Sequence, residues 1–365
     1  MISAMIDISI DYTTYEKYKN KTKFFVVENN AVECLKIDTK IANPEASHGG
    51  LCMDAFMESS NKNIDFFIML KSDNNLKSNV DDLILALKWC IEKNVSLISL
   101  SMGTTDFREA NKFGEVLNKI KEADIIFISG ISNDGKLSYP ACLDGCIGIG
   151  LDFNLYTSID EFAYSEHFFN GSNVIVSPKI NKKRRIGSTS LATAYFSGII
   201  SNLNIGLKKC LEWLKDNLNC NDIRLYYKNF DINQLNIIIA AIAGVDSIEV
   251  QLFIKSLQKF FIESDYYCLK ILSKERFGAS RNLTEHTHVY DKKYDCTYKE
   301  YLNLILNICE PSILFIELDD GISKDEFDVL IYDKEKNLDF GEKLLVDLNK
   351  LSPEQAFKLI VNTFI

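Results

Sequence analysis

The sequence predicts an α/β fold in which helices cover a parallel sheet, and two observations support this prediction. Apolar runs of strand length alternate with amphipathic helices through residues 1–205, which is typical of βαβ units. Two runs, VSLISLS at 95–101 and DIIFIS at 124–129, are apolar almost throughout, as parallel strands buried on both faces should be. The predicted strands span 3–8, 23–27, 65–70, 96–100, 125–129, 147–150 and 174–177, and the predicted helices span 50–58, 80–92, 107–122, 190–203 and 207–218.

A second, smaller α/β domain is predicted over 221–365, after a first domain over 1–220. Its signals are three apolar runs of strand length and one stretch of helical periodicity, at 235–244, 312–318 and 328–333 for the strands and 247–262 for the helix. The segment 243–247 joins a strand to a helix, as phosphate-binding loops do, but it lacks the Gly-Lys-Ser/Thr sequence that holds phosphate. We therefore expect this domain to dock a partner protein or a peptide.

Composition and charge exclude several classes of protein. The chain has 365 residues, of which 47% are hydrophobic and 25% charged, as in soluble globular proteins. The net charge of −10 and the lack of a basic run argue against nucleic acid as a partner. No apolar run reaches the length of about 18 residues that a membrane span needs. The first residues also lack the basic segment of a signal peptide, so we expect a cytoplasmic protein that does not bind membranes.

Cysteine and histidine usage argues against disulfides and metal. The chain has ten cysteines without a CxxC pair, which predicts reduced thiols rather than a disulfide framework. Two histidines occur in Glu285–His288, but no Cys/His set with zinc spacing accompanies them. We expect a solvated loop there, and neither a metal site nor a cofactor.

Three polar residues stand where a hydrolase needs an acid, a base and a nucleophile. Asp7 ends an apolar strand, and catalytic groups gather at the carboxyl ends of parallel strands. His48 precedes two glycines, which let the backbone approach a substrate closely. Ser190 begins a helix, where unpaired N–H groups favour developing negative charge. Taken singly, each has a structural alternative: Asp7 as a turn residue, His48 as a packing or surface residue, and Ser190 as a helix cap.

In combination, and in this order, the segments resemble the subtilisin-like serine peptidases, in which the triad runs Asp, His, Ser. The chain has Met5–Ser9, His48–Gly50 and Ser188–Ala194 where that family has its acid (Asp-Ser/Thr-Gly), base (His-Gly-Thr) and nucleophile (Gly-Thr-Ser-Met-Ala) motifs. Ser132–Gly135 resembles the oxyanion motif, and Ser99–Gly103 the substrate-binding strand. The resemblance covers nearly all of 1–205 and implies a subtilisin-like fold.

The resemblance also implies a mechanism, that of a serine endopeptidase without a cofactor. Ser190 would attack the scissile carbonyl, His48 would take its proton and pass it to the leaving amine, and Asp7 would orient the imidazole. The Asn133 side chain and the Ser190 N–H would hold the oxyanion. The backbone of Ser101, Met102 and Gly103 would pair with an extended peptide as a β-strand.

The motifs depart from the family pattern at Ser9, Gly50, Ser132, Ser188 and Ala194. None of these departures removes a catalytic atom, although Ser132 and Ser188 stand where the family has glycine, which tolerates more backbone angles. An alternative function is therefore a non-catalytic peptide-binding or scaffold protein that keeps the cleft.

The substrate expectation rests on where the acid lies and on the expected compartment. Asp7 stands close to the first residue, so we expect no propeptide of the kind that family members usually carry. Together with a cytoplasmic location, this predicts an enzyme with restricted substrates. The leader of a ribosomally made natural product or of a signal peptide is the substrate we expect.

Overall fold

The chain divides into two compact units, Met1–Asp222 and Ile223–Ile365, each with its own sheet and hydrophobic core. A computed structural model of the chain describes residues 1–35, 47–72, 78–151, 162–164, 171–178, 186–218, 237–243, 247–273, 287–290, 297–318, 327–333 and 343–365.

The first unit is built on one nine-stranded sheet. Its strands are β1 (Ser3–Asp7), β2 (Lys23–Glu28), β3 (Ala31–Cys34), β4 (Phe66–Leu70), β5 (Leu97–Leu100), β6 (Ile126–Gly130), β7 (Ile147–Leu151), β8 (Phe162–Tyr164) and β9 (Val174–Val176). They lie in the order β3-β2-β4-β1-β5-β6-β7-β9-β8, and the pairings are parallel except for β2 with β3 and β9 with β8. The predicted fold class is confirmed, since every strand predicted for this part of the chain is present.

The helices of this unit are α1 (Tyr12–Tyr18), α2 (His48–Ser59), α3 (Val80–Glu92), α4 (Gly114–Glu122), α5 (Thr189–Leu203) and α6 (Leu207–Asn217). The prediction of one helix over 107–122 is wrong in its first half. Phe107–Phe113 is a 3-10 helix, which starts where the Asp106 side chain accepts the Arg108 N–H, and the α-helix begins only at Gly114. A side-chain cap two residues away favours such a tight first turn over the α-helical one.

The topology brings the ends of three elements together. Strand β1 lies between β4 and β5 in the middle of the sheet, and all five of its residues are buried, so Asp7 stands at the carboxyl edge of the sheet. Helices α2 and α5 pack against each other, and Ser59, the last residue of α2, donates a hydrogen bond to the Tyr195 carbonyl in the middle of α5 (2.6 Å). Their amino ends carry His48 and Ser190.

Gly198 of α5 lies directly against α2. A Cβ added there would overlap Ser59 Oγ and the Phe56 carbonyl oxygen. We expect Gly198→Ala to destabilise the protein by about 1–3 kcal/mol, because the helices must separate to admit the methyl group. Gly114→Ala is the matched control, since a Cβ there meets no atom within 4 Å. Equal melting temperatures for the two variants would contradict this account of the packing.

The second unit contains a six-stranded sheet, in which every pairing is parallel. Its strands are β10 (Ile238–Ile242), β11 (Cys268–Ser273), β12 (Thr287–Tyr290), β13 (Ile313–Glu317), β14 (Val329–Tyr332) and β15 (Leu344–Asp347), in the order β12-β11-β13-β10-β14-β15. Its described helices are α7 (Ile248–Glu263), α8 (Tyr298–Cys309) and α9 (Pro353–Phe364). The three strands and the helix predicted for this region are present.

One expectation for this unit is wrong. The solvated loop expected at Glu285–His288 is a strand from Thr287 onward, because three of the four residues of this strand, Thr287, Val289 and Tyr290, are of types that favour extended structure. Glu285 and His286 lie outside the described residues, as do residues 244–246 of the loop-like segment 243–247.

The described cysteines, at 34, 52, 90, 142, 146, 210, 268 and 309, occur as thiols, and all except Cys34 are buried. Cys220 and Cys296 lie outside the described residues. Burial raises the pKa of Cys210 to about 12, which keeps this thiol protonated and unreactive at neutral pH. Among the helices that the structure describes, none has both the length and the apolar composition needed to cross a bilayer.

Candidate active site

An acid and a base meet at the carboxyl edge of the first sheet. Asp7 ends β1, and His48 is the first residue of α2, whose N-cap is Ser47. His48 Nδ1 lies 2.8 Å from Asp7 Oδ1. The Asp7 side chain is 0% exposed and the His48 side chain 38%, so the pair has a buried acid and an imidazole open to solvent. This is the arrangement in which a carboxylate fixes an imidazole tautomer while the other ring nitrogen stays available.

Asp7 is held by two further donors. The Ile8 N–H donates to Asp7 Oδ1 (2.8 Å), and the Ser101 hydroxyl donates a short hydrogen bond to Asp7 Oδ2. A buried carboxylate needs such partners, since each unpaired lone pair would cost desolvation energy. Together with His48, they leave Asp7 one orientation.

The hydrogen bond with Asp7 raises the pKa of His48 above its ordinary value of 6.5, and it outweighs partial burial, which lowers it. Because the pKa is higher in the folded than in the unfolded state, the pair stabilises the fold fully below pH 6.5. That contribution is lost as the pH rises through the folded-state pKa.

The general-base role that the sequence motifs predict for His48 requires a neutral imidazole, so it predicts that activity follows the opposite trend. We expect kcat/KM to rise with pH around a midpoint above 6.5, and the midpoint to move to lower pH in Asp7→Ala. Initial rates measured from pH 5 to 9 test this. A midpoint that is the same in both proteins would show that Asp7 does not tune the base.

The candidate nucleophile stands at the start of α5. Ser188 caps this helix by accepting the Leu191 N–H (3.3 Å), and Ser190 follows in its first turn, 8% exposed. The Ser190 hydroxyl donates to the Ser101 carbonyl (3.0 Å). Among the described residues, this is the hydrogen bond that Ser190 Oγ makes. Ser190 is therefore linked to Asp7 through Ser101, whose carbonyl binds Ser190 and whose hydroxyl binds Asp7. The described residues show no hydrogen bond from Ser190 to His48. Rotation about the Cα–Cβ bond is the movement that would redirect the hydroxyl.

The amide oxygen of Asn133 faces Thr189, at the start of α5. Asn133 Oδ1 accepts from the Thr189 N–H (2.9 Å) and lies 2.9 Å from Thr189 Oγ1. A backbone N–H can only donate, so the oxygen must face Thr189 and Nδ2 must face the other way. Because Thr189 precedes Ser190, this anchor holds the Asn133 amide beside the first turn of α5. A nitrogen donor and the N–H groups of that turn are the parts of an oxyanion hole.

The segment assigned to substrate binding follows β5. Ser101 is turned inward by its bonds to Asp7 and Ser190. The Met102 carbonyl accepts a hydrogen bond from the Ser129 hydroxyl (3.4 Å), and the Met102 sulfur lies 3.9 Å from Ser78 Oγ. A Cβ added at Gly103 would lie 2.6 Å from the Tyr139 carbonyl oxygen. Pairing of this backbone with a peptide remains a prediction.

Glycine is required directly after the base. A Cβ at Gly49 would overlap the Ser9 carbonyl oxygen and lie 2.8 Å from the Phe67 ring. Ser132 and Ser188, two of the three serines that stand in place of glycine in the motifs, cause no strain. Ser188 is extended, with φ −149° and ψ 155°, and neither Ser132 nor Ser188 is among the described residues with positive φ.

One cluster among the described residues has the donor set of a metal site. The ligand atoms of Asp7, His48 and Cys52 lie within 4.8 Å of one another. Asp7 Oδ1 and His48 Nδ1 face each other in a hydrogen bond, however, so a metal would have to replace the proton between them. The cluster fits an acid–base pair with a buried thiol below it better than a resident ion.

The structure is similar to those of several solved proteases. The prenylagaramide maturation protease is 13% identical, with 60% of this chain and 78% of that chain covered at a TM-score of 0.37. A lanthipeptide protease is 11% identical (59% and 79% covered, TM-score 0.41). The epidermin leader peptide processing serine protease of Staphylococcus aureus is 14% identical (64% and 71% covered, TM-score 0.40). No family model and no curated protein matches the sequence.

Proposed function

We propose that this protein is a serine endopeptidase that uses Asp7, His48 and Ser190. The observation that carries the proposal is the continuous set of hydrogen bonds from His48 through Asp7 and Ser101 to Ser190. These four residues come from four separate segments, and a purely structural role would not require an exposed imidazole on a buried carboxylate. The resemblance of the sequence motifs supports the same assignment.

The chemistry would proceed by acyl transfer. The Ser190 oxygen attacks the peptide carbonyl carbon while its proton moves to His48 Nε2, and the carbonyl oxygen becomes an oxyanion. Asn133 Nδ2 and the Ser190 N–H donate to that oxyanion. The C–N bond then breaks, and His48 gives the proton to the departing amine. Water, deprotonated by His48, releases the acyl group and restores Ser190. Asp7 stabilises the imidazolium that forms in each half of the cycle.

Asn133→Ala tests the oxyanion role. Loss of one such donor costs about 10²–10³ in kcat. We expect a loss of that size with little change in KM, because the oxyanion forms only in the transition state. Steady-state kinetics with a peptide substrate measure both constants. A rise in KM at unchanged kcat would instead assign Asn133 to substrate binding.

We further propose that the enzyme acts in the cytoplasm on one specific precursor peptide, such as the leader of a natural product or of a signal peptide. The solved proteases similar to this chain include a leader peptide processing protease, a prenylagaramide maturation protease and a lanthipeptide protease, so precursor peptides are the substrates to try first. The net charge of −10 favours a basic segment in the substrate.

The experiment compares precursor peptides encoded near the gene with an unfolded general substrate such as reduced casein, each analysed by mass spectrometry. We expect cleavage at one position in a precursor and slow turnover of casein. Broad degradation of casein without cleavage of a precursor would overturn the processing role and leave the peptidase assignment intact.

The second candidate is a peptide-binding scaffold without catalysis. The hydrogen bond of Ser190 to the Ser101 carbonyl, rather than to the imidazole, is the observation that favours it. Catalytic hydrogen bonds are often formed only in the substrate complex, which is why we place this candidate second. A serine-directed fluorophosphonate separates the two, because a scaffold would not react with it.

A further inference from the structure

A polar cluster outside the triad joins the beginnings of α1 and α2. Asp11 caps α1, since its Oδ1 accepts the Thr14 N–H (2.8 Å). Its Oδ2 accepts from the Thr14 hydroxyl (2.8 Å), the Ser47 hydroxyl (2.9 Å) and the Ser47 N–H (3.2 Å). One buried carboxylate thus binds two helix starts, with a separate oxygen for the α1 cap and for Ser47.

Ser47 connects this cluster to the base. Its hydroxyl oxygen accepts the Gly50 N–H (3.1 Å), which caps α2, and also the Asp11 N–H (2.8 Å). His48 follows directly. Asp11 and Ser47 therefore bind each other reciprocally. The side chain of each accepts the backbone N–H of the other, and the two side chains also bond to each other. This pair fixes both the path of the chain into α2 and the rotation of its first turn.

Gly50 makes room for the cluster. A Cβ at this position would overlap Asp11 Oδ2 and lie 2.7 Å from Thr14 Oγ1 and 2.9 Å from Ser47 Oγ. A threonine could not stand here while Asp11 binds Ser47. Gly50 departs from the family pattern, and this departure is what makes room for the cluster.

Asp11 is ionised in this setting. Burial by itself would raise its pKa, but the hydrogen bonds from Thr14 and Ser47 outweigh burial, and the pKa is lowered. An ionised acceptor makes stronger hydrogen bonds than a neutral one, which suits a role in holding a helix start.

We propose that Asp11 is a positioning residue for His48, acting through Ser47. By fixing the first turn of α2, it sets the direction from which the imidazole meets Asp7 and the substrate. The effect of Asp11 on catalysis rests on the proposed peptidase function. The effect of Asp11 on the His48–Asp7 hydrogen bond does not depend on that function.

The test uses Asp11→Asn, Ser47→Ala and their combination in the full chain. Asparagine keeps the α1 cap, since its oxygen still accepts the Thr14 N–H, but it places an NH₂ group against the Ser47 N–H. Thr14→Val is the matched control, because it removes one hydrogen bond to Asp11 and leaves those to Ser47. The readouts are the rate at which a fluorophosphonate labels Ser190 and the downfield proton resonance of His48 Nδ1–H in the NMR spectrum.

We expect Asp11→Asn to slow labelling about 10- to 100-fold, as misplacement of a catalytic group does, and to broaden the resonance. Thr14→Val should change neither. Asp11→Asn should have a smaller effect in the Ser47→Ala background than in the wild type, because the bond to the backbone N–H of residue 47 is then the one that remains between them. A wild-type resonance and labelling rate in Asp11→Asn would overturn the proposal. If the wild type is not labelled while Asp11→Asn still broadens the resonance, the positioning role stands and the peptidase function fails.

Discussion

Ser190→Ala should reduce peptide cleavage about 10⁶-fold, because no other group in this arrangement can form the acyl intermediate. His48→Ala should cost about as much, since the serine hydroxyl is a poor nucleophile without a base. The double variant should be no slower than either single one. Such non-additivity is expected when two residues act as one unit.

The control for this prediction is stability. Ser190 has a small side chain, and Ser190→Ala removes the hydrogen bond that its hydroxyl donates to the Ser101 carbonyl, a net contribution of about 0.5–1.5 kcal/mol. We expect a melting temperature close to that of the wild type, and unchanged binding of an uncleaved peptide. Residual cleavage at a hundredth of the wild-type rate would assign the nucleophile to another residue.

Asp7→Ala should reduce kcat/KM about 10⁴-fold, because the imidazole loses its orientation and the imidazolium its counter-charge. It also removes a buried acceptor that serves Ile8, His48 and Ser101. Leaving these buried donors unpaired should lower the free energy of unfolding by about 1–3 kcal/mol, so we also expect a lower melting temperature. Kinetics below the unfolding transition separate the two effects.

Asp7→Asn sharpens the same prediction. The Ile8 N–H donates to Oδ1, which His48 also contacts, so the amide oxygen of an asparagine should stay at that position. The Ser101 hydroxyl can then turn to accept from the new NH₂ group. The imidazole would keep its tautomer and lose only the counter-charge, so this variant should retain more activity than Asp7→Ala. Equal losses would mean that charge, and not orientation, is what Asp7 supplies.

The fold was largely predictable because its signals are local. Runs such as DIIFIS are continuous in the sequence and become the buried strand β6. The antiparallel edge strands β3 and β8, of four and three residues, are too short to give a periodic pattern. The break in 107–122 depends on a capping bond at Asp106, which hydrophobic periodicity does not report.

The site was predictable where a motif marks it and not where contacts join distant residues. The segments of Asp7, His48, Asn133 and Ser190 each resemble a motif. Ser101 was assigned only to substrate binding, yet its hydroxyl binds Asp7 from 94 positions away, and no pattern signals that contact. Asp11 shows the same limit. Aspartate is a common N-cap residue, but the bond from Ser47 to Asp11 spans 36 positions and forms only when α1 and α2 are packed.

The most direct test of the central claim is reaction of the purified protein with a fluorophosphonate, followed by mass spectrometry of the peptide that contains residue 190. We expect one adduct per chain on Ser190, formed rapidly by the wild type and not by His48→Ala. A folded wild-type protein that stays unlabelled, or an adduct on a different serine, would contradict it.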